Sequence, residues 1–408
     1  MPESQPSRRP YYGYTIVAAS FCMQGVSVGA MVSYGVFFSY LQQDFGWSRA
    51  FISGASSVVM IMMGALGILF GRMNDRLGPQ RILLASGICL AGGYVLMSSL
   101  QAGWQLYVFY GLMVGIGLST HDIVTLSTVA RWFRSRRGLM TGVVKAGTGT
   151  GQFIIPIVAS SLIALAGWRN AYVAIGVGIL VVYLLAARLM KRSPAEMGLQ
   201  PYGQTGDDST HGDASGVSFG VALRMPQLWL ACLSYFCVIF GAITVLVHIV
   251  PHAIDGGMAE GTAATLVSTI GAVSVVGRIT MGTTSDRIGS RKTFMLCFMV
   301  LITALLWLQF ASAAWMLFAF AVVYGFAHGG FYTVMSPTVA EIFGLKSHGA
   351  IFGLIYFFGT LGGAAGPVVA GRLFDVQQTY TTAFWLLLAF AVFGLVVMLR
   401  VRPVVTSG

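Results

Sequence analysis

Apolar residues run through this chain in unbroken stretches of roughly 20 positions. That is the pattern of membrane-spanning helices; barrel strands would alternate over about ten. Hydrophobic windows predict helices at about 14–40, 50–71, 81–100, 104–131, 138–163 and 169–190, and six more at about 227–251, 260–283, 292–311, 315–342, 349–373 and 380–401. The first run begins near Tyr14, is too long for a signal-peptide h-region and has no small-residue cleavage site after it, so it reads as the first membrane helix. The expected fold class is an all-α membrane protein with 12 transmembrane helices.

Between the two sets lies KRSPAEMGLQPYGQTGDDSTHGDASG, rich in Gly, Pro, Ser and Asp and without apolar period. It reads as a flexible linker, dividing the chain into a bundle over 1–190, a linker over 191–218 and a second bundle over 219–408. The bundles repeat. Gly71, Asp75, Arg76 and Gly78 recur 211 positions later as Gly282, Asp286, Arg287 and Gly289, and Gly138, Gly142 and Pro156 recur as Gly349, Gly353 and Pro367. Coincidences at one fixed offset indicate duplication, hence two pseudo-symmetric six-helix bundles.

Of the 408 residues, 56% are hydrophobic and 9% charged, with mean hydropathy +0.78, which excludes a soluble globular domain. The net charge of +11 would suit nucleic acid if it formed one patch, but the basic residues sit in short loops between spans and act as a topology signal instead. Of the 24 Lys and Arg, Arg49, Arg169 and Arg372 lie on one side, Lys145 and Arg278 lie inside spans, and the other 19, Arg8 and Arg9 among them, share the side of both termini and the linker. That asymmetry places the termini in the cytoplasm and the chain as a multi-pass protein in the plasma (cell inner) membrane. The five cysteines all fall within spans without CxxC spacing, so neither disulfide nor metal is expected. Only Asp122 supplies a central carboxylate, GTGTGQ lies within a span, and no GxxxxGK[ST] occurs, which argues against an enzyme, a nucleotide site or any cofactor.

GRMNDRLGPQR after the second span and GTTSDRIGSRK after the eighth resemble the paired loop motif of the major facilitator superfamily. The resemblance implies that Asp75 and Asp286, with Arg76 and Arg287, cap neighbouring helices and latch the halves together on the cytoplasmic side; an Asp near a helix N-terminus is favoured by the macrodipole in any case. WFRSRRGLMTGVVKAGTGTG, Trp132 to Gly151, is similar to the signature of the monocarboxylate transporter family within it. SPAEMGLQPYG, and YYGY followed by YGVFF, resemble the related oxalate and formate exchangers. The acidic signature before the first span is absent, Tyr11 and Tyr12 standing nearby.

Arg278 stands four residues before Gly282, a spacing similar to that of the family's substrate-binding arginine. A charge inside a span costs at least a few kcal/mol, and a guanidinium matches a carboxylate through two parallel hydrogen bonds. Its counterpart in the first half is Gly67, and no acidic residue lies on its helix between Glu260 and Asp286. Asp122 and Lys145 lie at matching depths and read equally as a structural ion pair or a proton relay. His121 is expected to point about 100° away from Asp122 around the helix. His248 and His328 read either as packing histidines or as proton or substrate contacts. Tyr332, one turn after His328, and Tyr34, Tyr235 and Tyr356 are candidate hydrogen-bond donors to the substrate, aromatic packing being the competing reading for the last three.

One guanidinium neutralises one carboxylate, and the lysine that the oxalate exchangers carry in the eleventh helix is replaced at Gly359. The expected substrate is a small monocarboxylate of the lactate and pyruvate class; Lys145 offers a second cation, which keeps an exchanger of oxalate or formate type as the alternative, and a receptor that binds without transporting is a further one. The resemblance implies proton symport by alternating access, with Asp122, His248, His328 and Lys145 as coupling candidates, although Val32 and Ser274 stand at two of the family's coupling positions. The partners are the anion, the proton and the lipid bilayer, with neither nucleic acid nor an obligatory protein partner indicated.

Overall fold

The computed structural model describes residues 10–204 and 216–404. Arg8, Arg9 and the middle of the linker lie outside the described residues. The first half comprises α1 (Gly13–Phe45), α2 (Arg49–Leu77), α3 (Pro79–Met97), α4 (Gly103–Trp132), α5 (137–166) and α6 (168–189). The second comprises α7 (Pro226–Asp255), α8 (Glu260–Ile288), α9 (Ser290–Leu308), α10 (Ala314–Phe343), α11 (His348–Gln377) and α12 (Thr381–Arg400). Gly167, with φ 80° and ψ 161°, breaks the helical run Arg137–Leu189 into α5 and α6. Several helices outrun their apolar windows, because the windows stop at the first charges while the backbone does not: α2 continues through Asp75 and Arg76, and α8 through Asp286 and Arg287.

The duplication is visible in packing. In the first half α1 lies along α5, with Gly25 and Gly29 against Gly151; in the second α7 lies along α11, with Phe240 against Gly366. The turns Gly78–Pro79 and Gly289–Ser290 sit 211 positions apart, and both glycines adopt φ near +80° to +90° (78° and 93°), where a Cβ would be strained.

α4 is irregular. It winds as a π-helix over Tyr107–Val114 and makes a turn at Ser119–Thr120, where both hydroxyls bond back to carbonyls of the preceding turn, Ser119 to Ile116 and Thr120 to Gly117. Such back-bonding competes with the helical ladder and bends it. The break delivers His121 and Asp122 at the start of a fresh helical segment.

The halves meet through α2 with α11 and α5 with α8. A Cβ on Gly71 would collide with the carbonyl of Gly349, and one on Gly138 with the carbonyl of Gly282. One layer deeper Gly353 faces the backbone of Gly67, and Gly142 faces the carbonyl of Arg278. The closeness continues only to Gly64, beside Thr360, and Gly149, beside Arg278 and Val275. Farther from the Arg-rich face, Gly35, Gly241 and Gly271 have open space beside their Cα atoms. The bundle is therefore closed on the face carrying the linker ends.

The linker is docked at both ends, correcting the expectation of flexibility along its length. Pro194–Met197 forms a 3-10 turn, Arg192 donates to the carbonyls of Asp75 and Arg76 at the end of α2, and the Tyr202 N–H donates to the Trp132 carbonyl at 2.9 Å. The Tyr202 carbonyl accepts in return from Arg134 and Ser135. At the far end Val217 donates to the Phe343 carbonyl, and Gly216 pairs with Gly344 as Tyr202 pairs with Phe133, again 211 positions apart on the loop side. Tyr11 completes the cap: its hydroxyl reaches the carbonyls of Trp132 and Gln200, and burial pushes the phenol up to about 12, so it stays a donor.

Substituting Gly71→Ala is expected to force the closed face apart, since the added methyl meets backbone and not a movable side chain. Alkylation of a cysteine introduced at Leu139 should accelerate by about tenfold or more, a shift of at least about 1.4 kcal/mol in the closed-to-open balance. Gly35→Ala, which meets open space, should leave that rate unchanged.

Candidate functional site

A polar cluster lies within the apolar core. Gln24 comes from α1, His121, Asp122 and Thr125 from α4, Lys145 and Thr148 from α5, Arg278 from α8, Tyr332 from α10 and Tyr356 from α11. Asp122 Oδ1 accepts from Lys145 Nζ at 2.7 Å and from Gln24 Nε2 at 2.8 Å, with both charged side chains about 5% exposed or less. Gln24 also donates to the His121 carbonyl and to the Thr125 hydroxyl, and its own carbonyl accepts from Thr148 at 2.9 Å. Asp122 and Lys145 are thus a fully engaged ion pair, and their opposite charges cancel in the interior.

His121 does not point away, as its helical position suggested. Its ring folds back so that Nδ1 faces the Leu118 carbonyl at 2.6 Å and Nε2 stands 3.5 Å from Asp122 Oδ2. Both ring nitrogens face oxygen. Gln24 and Thr148 were not singled out from sequence; an uncharged amide in the middle of a membrane span, as in SFCMQGVS, was the available signal.

Arg278 is 4% exposed. Nη1 donates to the Lys145 backbone carbonyl across the halves at 3.0 Å, and Nε is buried without a partner. Among the described residues no carboxylate pairs with it. Ser274, where the family places an acid, turns its hydroxyl to the Gly271 carbonyl of its own helix. Val32, where the family places a lysine, is 40% exposed, and Gly359 is packed against the Tyr235 ring, leaving no room for a longer side chain. Lys145 Nζ lies 5.5 Å over the Tyr332 ring. Tyr332 stands edge-on to His328 with centroids 5.0 Å apart, and the His328 Nδ1 is 3.4 Å from the Tyr324 hydroxyl. A cavity of about 10 Å³, room for about one water, opens beside His328 between Val238, Ala242 and Leu301. Tyr356 stands edge-on to Phe352 on its own helix, with centroids 6.2 Å apart.

Two sequence candidates sit elsewhere. Tyr34 is 5% exposed, stacks on Tyr110 with centroids 3.9 Å apart and donates to the Ile52 carbonyl, so it belongs to the core of the first half. His248 is held near the end of α7, Nδ1 at 3.2 Å from the Tyr380 hydroxyl and Nε2 at 3.0 Å from the Pro367 carbonyl. A neutral imidazole that donates from Nε2 and accepts at Nδ1 satisfies both contacts, which is the packing alternative for this residue.

At the closed face Asp75 accepts from the N–H groups of Gly349 and Ala350 at 3.1 and 3.0 Å and from Arg131 at 2.6 Å. Asp286 accepts from those of Gly138 and Leu139 at 2.6 and 2.8 Å. Each carboxylate therefore caps the first turn of a helix in the opposite half. Arg76 and Arg287 are exposed, and the cross-half bonds run instead through the two carboxylates, Asp75 being steadied within its own half by Arg131.

The pattern of the Major Facilitator Superfamily matches residues 20–279 and 249–408. A relative named MFS-type transporter 1, from Ophiocordyceps sp. (strain BCC 1869), is 29% identical over 356 residues, covering 86% of this chain and 76% of its own. Monocarboxylate transporter 12 of Mus musculus is 25% identical over 409 residues, covering 93% and 83%. Among solved structures, the E. coli fucose:proton symporter superposes with a TM-score of 0.74 at 16% identity, covering 96% of this chain and 100% of its own, a likeness of fold.

Replacing Lys145→Met is expected to destabilise the protein by about 3–5 kcal/mol, because Asp122 is left charged and unpaired in the core. The double variant Asp122→Asn with Lys145→Met should regain most of that loss. Thermal unfolding of the three proteins in detergent is the check.

Proposed function

The chain belongs to the Major Facilitator Superfamily, and from that premise we propose that it carries small monocarboxylates of the lactate and pyruvate class, docked on Arg278, across the membrane by alternating access. The observation that carries this reading is the uncompensated guanidinium: with Asp122 and Lys145 cancelling each other, Arg278 leaves a single positive charge at the meeting of the halves. One carboxylate brings that interior to neutrality; a dianion would leave one charge unmatched in a medium where that is costly. Similarity to Monocarboxylate transporter 12 supports the substrate class. Asp75 and Asp286 act as the latch of the closed state, placed on the cytoplasmic side by the excess of Lys and Arg there.

The same arithmetic favours exchange. Alternating access passes through an occluded intermediate in which neither aqueous phase reaches the site. With substrate bound, a carboxylate replaces the lost water around Arg278; without it, the guanidinium has the neutral Lys145 carbonyl and no compensating charge. Empty return is then slower than loaded return by on the order of a hundredfold, from a charge penalty of about 2.5–3.5 kcal/mol. Proton symport is the second reading, favoured by His121, whose Nε2 faces Asp122 Oδ2 across a gap that one proton would bridge. His328, beside Tyr332, is the other coupling candidate.

Liposomes reconstituted with the protein decide among these. Labelled lactate should enter liposomes preloaded with unlabelled lactate far faster than empty ones, and Arg278→Gln should abolish both rates. An inward proton gradient that accelerates entry into empty liposomes to the preloaded rate would establish symport in place of exchange. Undiminished uptake by Arg278→Gln would remove the docking role altogether.

A further inference from the structure

Arg278 has two claims on it. In the closed arrangement its Nη1 is committed to the backbone carbonyl of Lys145, in the opposite half. That carbonyl belongs to α5, where its helical partner is the N–H of Gly149, so the guanidinium adds a second bond to it. The approach depends on Gly149. A Cβ there would stand 3.0 Å from Nη1 and 3.0 Å from the Val275 side chain, tighter than ordinary contact, so any side chain at this position pushes the guanidinium a few tenths of an ångström off its seat. The Nε edge is sealed in protein without a partner. A substrate carboxylate seeking two parallel bonds takes the Nη1–Nη2 end, where it competes with the Lys145 carbonyl for Nη1. The exchange is favourable, since a carboxylate accepts from guanidinium more strongly than a neutral carbonyl does.

We propose that the Lys145 carbonyl is the resting partner of the substrate-docking guanidinium, with Gly149 as the positioning residue that permits it, so that carboxylate binding cuts the deepest bond between α5 and α8. This rests on the docking role of Arg278. It supplies a link between occupancy and conformation: the bond that substrate breaks lies on the same α5–α8 contact that Gly142, Gly138 and the Asp286 cap hold shut farther toward the Arg-rich face. The corresponding contact of the first half, α2 with α11, has Gly67 in the place of Arg278 and so has no such side-chain bond. Occupancy is sensed on one side of the pseudo-symmetric pair only. A ligand shifts a conformational equilibrium only through contacts that differ between the states, and this bond is such a contact.

The test places spin labels at Ser135 and Arg287, on the exposed ends flanking α5 and α8, in a background depleted of native cysteines, and measures their separation with and without lactate beside equilibrium binding of labelled lactate. In the otherwise unchanged protein, saturating lactate should shift the distance distribution. Gly149→Ala should show the shifted distribution before lactate is added, and should bind lactate several-fold more tightly, by up to about tenfold, because no carbonyl has to be displaced. Gly149→Ser, tested in parallel, should behave alike; Gly35→Ala serves as the control in open space. If both Gly149 variants keep the resting distribution and the ordinary lactate response, or bind lactate more weakly without any shift, the resting bond has no role and the proposal is overturned. Absence of lactate binding to the otherwise unchanged protein would instead overturn the docking role itself.

Discussion

A carboxylate and an ammonium held 2.7 Å apart in the centre of the bundle cancel each other, and the character of the whole site depends on that cancellation. Without it Lys145 and Arg278 would be two neighbouring cations and the interior would suit a dianion. With it the interior retains one charge. The pair is held by more than attraction: Gln24 donates to the same carboxylate oxygen and is itself oriented by Thr148, so α1, α4 and α5 are tied through a single polar network. Such a network is stable only when every member is satisfied, which gives the first half a rigid wall facing the second.

Symmetric scaffolding surrounds an asymmetric site. Four positions related by the duplication, Gly67, Gly142, Arg278 and Gly353, bring the helix backbones of the halves together, and three of them are glycine. The fourth keeps the backbone approach, because it is the carbonyl of Arg278 that faces Gly142, while its side chain runs to another layer and reaches Lys145. One half thus acquired a charge without losing the contact surface that both halves share.

The signatures that made the family recognisable have an architectural explanation. YYGY at the start, WFRSRRG at the turn into α5 and SPAEMGLQPYG in the linker are far apart in the chain, yet Tyr11, Trp132, Gln200 and Tyr202 hydrogen-bond to one another on the closed face. They cap helix ends whose carbonyls would otherwise lack partners. Their spacing from Arg278 and Asp122 assigns them to the conformational frame and not to ligand recognition.

Apolar run length alone pointed to the twelve spans, since a bilayer tolerates little else, the 211-residue repeat pointed to two related halves, and the paired Asp caps were what the loops' resemblance to the family motif implied. The presence of a lone arginine within a span, and of Asp122 and Lys145 at equal depth, was equally readable, because burying a charge needs a reason wherever it occurs. What residue order does not encode is who faces whom. Only packing showed that Lys145 is spent on Asp122, that Gln24 joins them, that His121 folds back through a helix broken at Ser119 and Thr120, and that Tyr34 and His248 are occupied elsewhere. Those outcomes depend on contacts between helices distant in sequence, and periodicity within one helix carries no information about the side chains of another.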